Sequence, residues 1–432
     1  MLSVAEEHLR GINDKARLHL YGQEIQPESY AVCRSDMLLK GQDASKIVFG
    51  DSFTQDGFPG MKFDYMLANP PYGKDWKTIE AAVKAEHQGL GMAGRFGAGL
   101  PSTTDGQILF LQQMISKMRP AAEGGGRIAV VFNGSPLFSG DAGSGMSEIR
   151  RWIIENDWLE AIVGLPDQLF YNTGIYTYVW VVTNRKRPER AGHVQLIDAR
   201  TLFAKMRKSL GNKRNELSAA HIAEITSIYE SCAEGERSKV LPNEALGYRK
   251  ITVERPLRVR YDVTAEAVEM LASASPVAKL PDGEAGELLD ALETLVGRYF
   301  AAMADLEAAL KPVWSKLAKV PAPVKKAVVA AMMVRDPRAE PVPVKRGYEP
   351  DIELRDNENV PLGENIEEYM AREVFPFAPD AWVDHAKTKI GYEIPFTRQF
   401  YKYVPPRPLK EIDAEIKASQ QRILKLLAEV TE

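Results

Sequence analysis

The sequence predicts an α/β protein with a doubly wound, mostly parallel sheet, followed by a mainly helical region. Three features lead there. Short apolar runs alternate with segments of helical spacing between residues 17 and 199, as in sheets with helices on both faces. One of those runs ends in an Asn-Pro-Pro-Tyr turn at 69–72. After about residue 200 the chain changes to helical segments with proline-rich joints. The expected division is residues 1–240 for the sheet domain and 241–432 for the helical region, which closes on an amphipathic, partner-binding helix.

The elements follow in order. Residues 4–12 read as a helix, and RLHLYGQEI (17–25) as a strand ending near Gly22 and Glu24. PESYAVCRSDMLLKG (27–41) opens on proline and closes on glycine, as helices do. KIVFGDSF (46–53) is a short strand running into a turn. FDYMLA (63–68) is a short buried strand, stopped where two prolines forbid both helix and further ladder pairing. Residues 84–106 are rich in glycine without a clear period and read as a long loop. Ile108, Leu111, Ile115 and Met118 then fall at helical spacing. Strands are expected at 124–133, 159–166, 176–184 and 193–199, with a helix at 146–157. The proline-rich stretch 334–350 is the clearest linker. Leu409, Ile412, Ile416, Ile423, Leu426 and Val430 occupy a and d positions of a heptad, with Ser419 at one d. That pattern suits coiled-coil pairing or a helix folded back on its own domain.

Composition removes several classes of function. The 55 basic and 59 acidic residues leave a net charge of −4. A nucleic-acid binder working alone is usually more basic, so any such role needs a local patch or a partner's charge. Two distant cysteines, Cys33 and Cys232, suit a reducing cytoplasm and give no disulfide framework. The six histidines form no ligand-spaced pair, and no metal site is expected. No apolar run is long enough to span a membrane. Glu6 and Glu7 interrupt the N-terminus too early for a secretory signal. A phosphate loop of the G-x-x-x-x-G-K-[ST] type is absent, so this chain is not expected to translocate DNA.

The turn carries the chemistry. Asn69 and Tyr72 sit at a strand's C-terminal end, the edge where open α/β sheets bind ligands. The Asn69 amide oxygen and the Pro70 carbonyl are two acceptors suited to the two hydrogens of one exocyclic amine. Accepting both draws the amine toward tetrahedral geometry and frees its lone pair for attack. The same oxygens stabilise the positive charge that develops on nitrogen. Pro70 and Pro71 keep the turn stiff, and Tyr72 offers a face on which a base can stack, worth about 1–3 kcal/mol. Such turns also occur in ordinary loops; the preceding strand favours the functional reading.

The turn is similar to the catalytic motif of amino-group methyltransferases that use S-adenosylmethionine. More widely, YGQEIQPESYAVCRSDMLLKG, FDYMLANPPYGKDW, GLPDQLFYNTGIYTYVWVVTN, DNENVPLGENIEEY and KTKIGYEIPFTRQFYKYVPPRPLKEIDAEI resemble the methyltransferase (M) subunit of type I restriction-modification systems. The similarity runs along nearly the whole chain and is weakest from about 263 to 345. The resemblance implies a cytoplasmic DNA methyltransferase with the doubly wound S-adenosylmethionine-dependent fold and a helical C-terminal region. Its substrate would be adenine N6, with the base flipped from the duplex. Asn69, Pro70, Pro71 and Tyr72 would be catalytic. Glu24 would hold the cofactor ribose, and Asp51 would contact its adenine unless it merely forms a turn. Phe170, in LFYNTGI, would be a second wall of the target-base pocket, with Tyr171 as the alternative. Residues 87–106 would form a lid or a solvent-exposed loop. The implied partners are DNA, a specificity subunit that chooses the sequence, and a nuclease/translocase subunit. The heptads after Leu409 offer a contact for such a complex.

The sequence departs from that family in one respect. The family's glycine-rich cofactor loop, roughly Asp-Pro-x-Cys-Gly-x-Gly-Gly, precedes the segment that matches Met1 onward, as does an N-terminal helical domain. Neither occurs here, and VAEEHLRGIND matches the helix after the loop. The expectation is a sheet without its central first strand, which the family places between the strands at 17–23 and 63–68. Such a chain, an N-terminal truncation of the family's pattern, should bind S-adenosylmethionine weakly or not at all when alone. A non-catalytic assembly component, or a methyltransferase with the same turn acting on RNA or protein, are the alternatives.

Overall fold

The apolar runs read from the sequence become strands. The computed structural model describes every residue except Asp282, Ala318, Val404 and Glu432, and describes no side chains from 428 to 431. The backbone divides into two units. One holds Met1–Gly140, Ser144–Leu246 and Glu393–Glu432; the other holds Asp141–Gly143 and Gly247–Tyr392.

The strands of the first unit are β1 (Gly22–Glu24), β2 (Ile47–Phe49), β3 (Tyr65–Ala68), β4 (Arg127–Phe132), β5 (Leu159–Leu165), β6 (Thr177–Thr183), β7 (His193–Asp198), β8 (Ala204–Leu210), β9 (Lys213–Glu216) and β10 (Ser238–Pro242). A six-stranded sheet has the order β10-β7-β5-β6-β4-β3. β3, β4, β5 and β7 run the same way, while β6 and β10 oppose them. The sheet is therefore mixed, not mostly parallel. The short connection 166–176 returns β6 beside β5 as an antiparallel neighbour, and only a longer crossover could have made it parallel. β5 is buried at every position. Beside it the Phe132 and Trp180 rings pack edge to face at 5.7 Å.

β1 and β2 form a separate parallel pair, with Glu24 opposite Phe49. Among the described residues no ladder joins this pair to β3. β3 is an edge strand, with Tyr65 64% and Leu67 42% exposed. Rings bring the starts of β1 and β3 together instead: Tyr21 lies 5.5 Å from both Phe58 and Phe63.

The glycine-rich stretch is not one long loop, although Leu90 and Met92 within it are exposed. Glu80–Leu90 is helical and stops at Gly91, whose φ is +50°. Beyond it Phe96 is fully buried against Phe53, Trp76, Val83 and Leu109. The glycines permit close backbone approach: a Cβ on Gly97 would lie 2.2 Å from the Gly91 carbonyl oxygen. That use of glycine erases the helical period that would have revealed the packing.

The second unit holds β11 (Gly247–Glu254), β12 (Val259–Asp262), β13 (Tyr299–Phe300), β14 (Met333–Arg335), β15 (Asp356–Pro361) and β16 (Trp382–Tyr392). β11 lies between β15 and β16, and β12 between β13 and β14, all antiparallel. Helices between these strands bury Leu271, Leu288, Leu292, Leu306, Leu310 and Val328 in one core. This unit thus mixes strands and helices where a mainly helical region was expected. The partners of β11 come from 356–392, too distant for local pattern to reveal the pairing. Nor is 334–350 a free linker. Val342 N–H donates to the Leu257 carbonyl at 2.9 Å, and Leu257 N–H to that of Glu349 at 2.7 Å. The final helix, Leu409–Thr431, leaves Leu409, Ile416, Ile423 and Leu426 exposed instead of folding them back. The Val430 side chain lies outside the described residues.

One side chain ties the first unit together. The Arg95 guanidinium bonds both Glu86 oxygens at 2.6–3.0 Å, the Ser52 and Phe53 carbonyls at 3.0 and 2.8 Å, and Gln113 Oε1 at 2.9 Å. Burial pushes the Glu86 carboxyl up, but the hydrogen bonds and charge of Arg95 outweigh it and hold the group below its ordinary value. Arg95→Ala should cost about 3 kcal/mol in urea unfolding at neutral pH, because it strands a largely buried carboxylate. A depressed folded pKa contributes stability that is present above the unfolded pKa and lost as pH falls through the folded one. The gap between variant and wild type should therefore narrow in acid.

Candidate active site

β3 delivers Asn69 to the carboxyl edge of the six-stranded sheet. Pro70 is buried, Asn69 and Pro71 are exposed, and Tyr72 is half-buried. The Tyr72 hydroxyl donates to Asn69 Oδ1 at 2.6 Å. Burial pushes the Tyr72 phenol up to about 12, so it remains a donor at neutral pH. An amide oxygen has two lone pairs; this contact uses one and leaves one.

The chain after the turn is clamped. Gly73 takes the left-handed conformation, φ +61°. Gly106 N–H donates to the Lys74 carbonyl at 3.0 Å, and Trp76 N–H to that of Thr103 at 3.1 Å. The buried Trp76 indole donates to the Ser102 carbonyl at 2.8 Å. Gln107, also buried, donates to Asp105 Oδ2 at 2.6 Å and to Asn133 Oδ1 at 2.9 Å. Asn133 N–H returns a bond to Gln107 Oε1 at 3.3 Å. Because Asn133 follows β4, the neighbour of β3, the network fixes the turn to both strand ends. Sequence reasoning missed Asp105, Gln107 and Asn133. Local pattern marks none of them, since the helix that starts at Gln107 also carries Gln112 and Gln113.

Glu24 ends β1, and the β1–β2 register sets it beside the start of the Asp51 turn. Gly50 N–H donates to the Glu24 carbonyl at 3.0 Å. Glu24 Oε1 accepts from Gln26 N–H at 2.8 Å. Its neighbours Ile25 and Phe49 are exposed. Both Asp51 oxygens fold the local turn, accepting from Phe53 N–H at 2.9 Å and from the Thr54 hydroxyl at 3.3 Å. Phe170 is half-buried and Tyr171 exposed, on the loop leaving β5. That loop shares the carboxyl edge with Asn69, but β6 and β4 intervene in the sheet. The structure therefore groups Asn69 to Tyr72, pairs Glu24 with Asp51, and holds Phe170 on a third segment. Among the described residues, no three His, Cys, Asp or Glu side chains cluster as metal ligands. No described helix is long and apolar enough to cross a membrane.

Residues 1–245 match the model of the N-6 DNA Methylase family. The chain belongs to that family. The match ends beside Leu246, where the long run of the first unit also ends. The type I restriction enzyme MjaIX methylase subunit of Methanocaldococcus jannaschii is 28% identical over 265 residues, 61% of this chain and 44% of that protein. The HindI methylase subunit of Haemophilus influenzae is 32% identical over 200 residues, 45% of this chain and 40% of that one. The chain thus spans less than half the length of either relative. A solved structure, the type I restriction-modification methyltransferase subunit from Streptococcus thermophilus, is 25% identical with a TM-score of 0.44, covering 52% of this chain and 44% of its own.

Removing the centre of the clamp should loosen the turn. Gln107→Leu leaves Asp105 and Asn133 without their shared partner, at a cost of about 1–3 kcal/mol in urea unfolding. The emission of Trp76 should shift to longer wavelength as the indole becomes wetter.

Proposed function

We propose that this N-6 DNA methylase is the methyl-transferring subunit of a cytoplasmic type I restriction-modification system, acting on adenine N6 in DNA. The observation that carries the reading is the clamped turn, with Asn69 Oδ1 aimed by Tyr72 and a lone pair still open. A flipped adenine would present its N6 amine to Asn69 Oδ1 and the Pro70 carbonyl, with Tyr72 as the surface beneath it. Two fixed acceptors concentrate the amine lone pair on the opposite face and stabilise the cation that forms there. Neither acceptor needs to take the proton before attack. The half-buried Phe170 is the proposed second wall of the base pocket; Tyr171, on the same loop, is more exposed.

The residues present fit part of a cofactor site. Glu24 Oε2 has no partner among the described residues, and it suits ribose hydroxyls. The exposed Phe49 and Ile25 beside it suit an adenine face. Asp51 fits less well, since both its oxygens are engaged in the turn; it would act by shaping that turn. S-adenosylmethionine, when bound, supplies a methyl group made electrophilic by its sulfonium. The proposed partners are DNA, a specificity subunit and a nuclease/translocase subunit. The exposed seam of Leu409–Thr431 is a contact for one of the protein partners. The relatives' names as type I methylase subunits support this assignment.

The test is methyl transfer from tritiated S-adenosylmethionine to unmethylated DNA, with and without a specificity subunit, and hydrolysis to identify the product base. N6-methyladenine is expected, and Asn69→Ala should lower the rate by about 10²–10³, the usual cost of a lost charge-stabilising group. Product confined to RNA, protein or another base would refute the reading. In calorimetry on the chain supplemented with the family's glycine-rich cofactor segment, Glu24→Ala should weaken S-adenosylmethionine binding by about tenfold or more, as befits a lost charge-assisted hydrogen bond.

A further inference from the structure

The net charge is −4, yet one exposed element is strongly cationic. β8 and β9 form an antiparallel hairpin reading AKMRKSLGNKRNE. It carries Lys205, Arg207, Lys208, Lys213 and Arg214 against a single acidic residue, Glu216. Lys213 is half-buried and the other four cations are exposed. None of the five makes an ion pair among the described residues. Nearby basic residues do: Arg200 pairs with Asp198, and Arg237 with Glu224. Like charges crowded on a two-stranded ribbon repel one another, and among the described residues no carboxylate pairs with them.

The hairpin is held rigidly and in a telling place. Fully buried Asn215 donates to the Asp167 carbonyl at 2.9 Å and to its carboxylate at 3.2 Å. Arg214 and Asn215 N–H groups both donate to the Gln168 carbonyl, at 2.9 and 3.1 Å, and Asn212 N–H to that of Tyr171 at 3.1 Å. The Lys213 ammonium stands 5.3 Å from the centre of the Tyr171 ring. These bonds fasten the cations to the loop that carries Phe170 and Tyr171. Cations clustered on one element are the electrostatic footprint that holds a nucleic-acid backbone.

We propose that the β8–β9 hairpin grips the phosphates of duplex DNA beside the adenine pocket, with Arg207, Lys208 and Lys213 as principal contacts. This rests on the DNA-methylating function proposed above. Phosphate contacts fix register and orientation without reading sequence, so they leave the choice of site to another subunit. They also concentrate the chain's affinity for DNA on one arm of an otherwise acidic molecule.

The experiment is fluorescence anisotropy of a short labelled duplex titrated with the full chain over a series of salt concentrations. The triple variant Arg207→Ala, Lys208→Ala, Lys213→Ala should bind at least about tenfold more weakly at low salt. Its plot of log affinity against log salt should be shallower by about 0.9 for each phosphate it no longer neutralises. A charge-preserving triple, Arg207→Lys, Lys208→Arg, Lys213→Arg, should keep the wild-type slope. Should the alanine triple melt early by circular dichroism, Arg207→Ala with Lys208→Ala, both at exposed positions, decides the matter in its place. Unchanged affinity and slope in the alanine variant would overturn the hairpin assignment and leave the DNA reading standing. Failure of the wild-type chain to bind duplex at all would overturn the hairpin assignment, and only absence of N6-methyladenine in the presence of a specificity subunit would overturn the DNA reading with it.

Discussion

The Arg95 guanidinium holds together two pieces of structure that no backbone ladder connects among the described residues. Glu24 and Asp51 belong to the β1–β2 pair, Asn69 and Tyr72 to the six-stranded sheet. In a continuous sheet, strand pairing would fix their relative position through evenly spaced hydrogen bonds. Here side chains do so. Arg95 binds the Ser52 and Phe53 carbonyls immediately after Asp51 and, through Glu86 and Gln113, two helices of the sheet domain. Lys117 adds a second strut, bonding Asp56 at 2.7 Å and the Phe58 carbonyl at 2.8 Å. The Tyr21, Phe58 and Phe63 rings seal the same junction. Side-chain struts lose more rotamer entropy per bond than a ladder does. Concentrating several bonds on one planar, rigid fork is the arrangement that loses least.

The same economy governs the turn. Two prolines remove backbone freedom before folding begins, and Pro70 is buried so that its ring cannot shift. Downstream, three hydrogen bonds join 74–76 to 102–106. What remains mobile is small: the Asn69 carboxamide and the Tyr72 ring. Their mutual hydrogen bond fixes the carboxamide with its oxygen toward Tyr72. An acceptor oriented by its own protein contacts has little reorganisation left when charge develops. In the proposed reaction the clamp around Gln107 would contribute without touching the substrate.

Much of this was legible in the sequence, for identifiable reasons. β3 and its turn were plain because an apolar run met two prolines. The position of Glu24 at a strand end was legible, while its role came only from the resemblance. Asp51 offered two roles, and local pattern could not choose between them; the structure shows its oxygens occupied by the turn. The stretch 84–106 misled because its glycines serve close packing, which looks like looseness when only composition is visible. Gln107 and Asn133 were invisible for another reason: their bond links a helix start to a strand end, and nothing local marks either. The antiparallel partners of β11 lay beyond reach for the same cause, since pairing across such separations leaves no period to read.

What the fold leaves uncompensated is as informative as what it satisfies. Most carboxylates near a cation are paired, down to the largely buried Glu160, which meets Arg127 and the Tyr229 hydroxyl. Against that background two surfaces stand unbalanced. The β8–β9 hairpin keeps five cations without a carboxylate partner among the described residues. The 23-residue terminal helix keeps an apolar seam in water, forgoing roughly 25 cal/mol for each Å² of apolar surface it could bury. Neither feature stabilises the isolated chain, and each opposes it. A polyanion relieves the first and an apolar helix face the second, so the two imbalances call for different molecules. The residues of the candidate active site need neither surface for their own geometry. If those surfaces serve DNA and a partner subunit as proposed, either can change without disturbing the Asn69 turn, because the described hydrogen bonds that hold that turn lie inside the first unit.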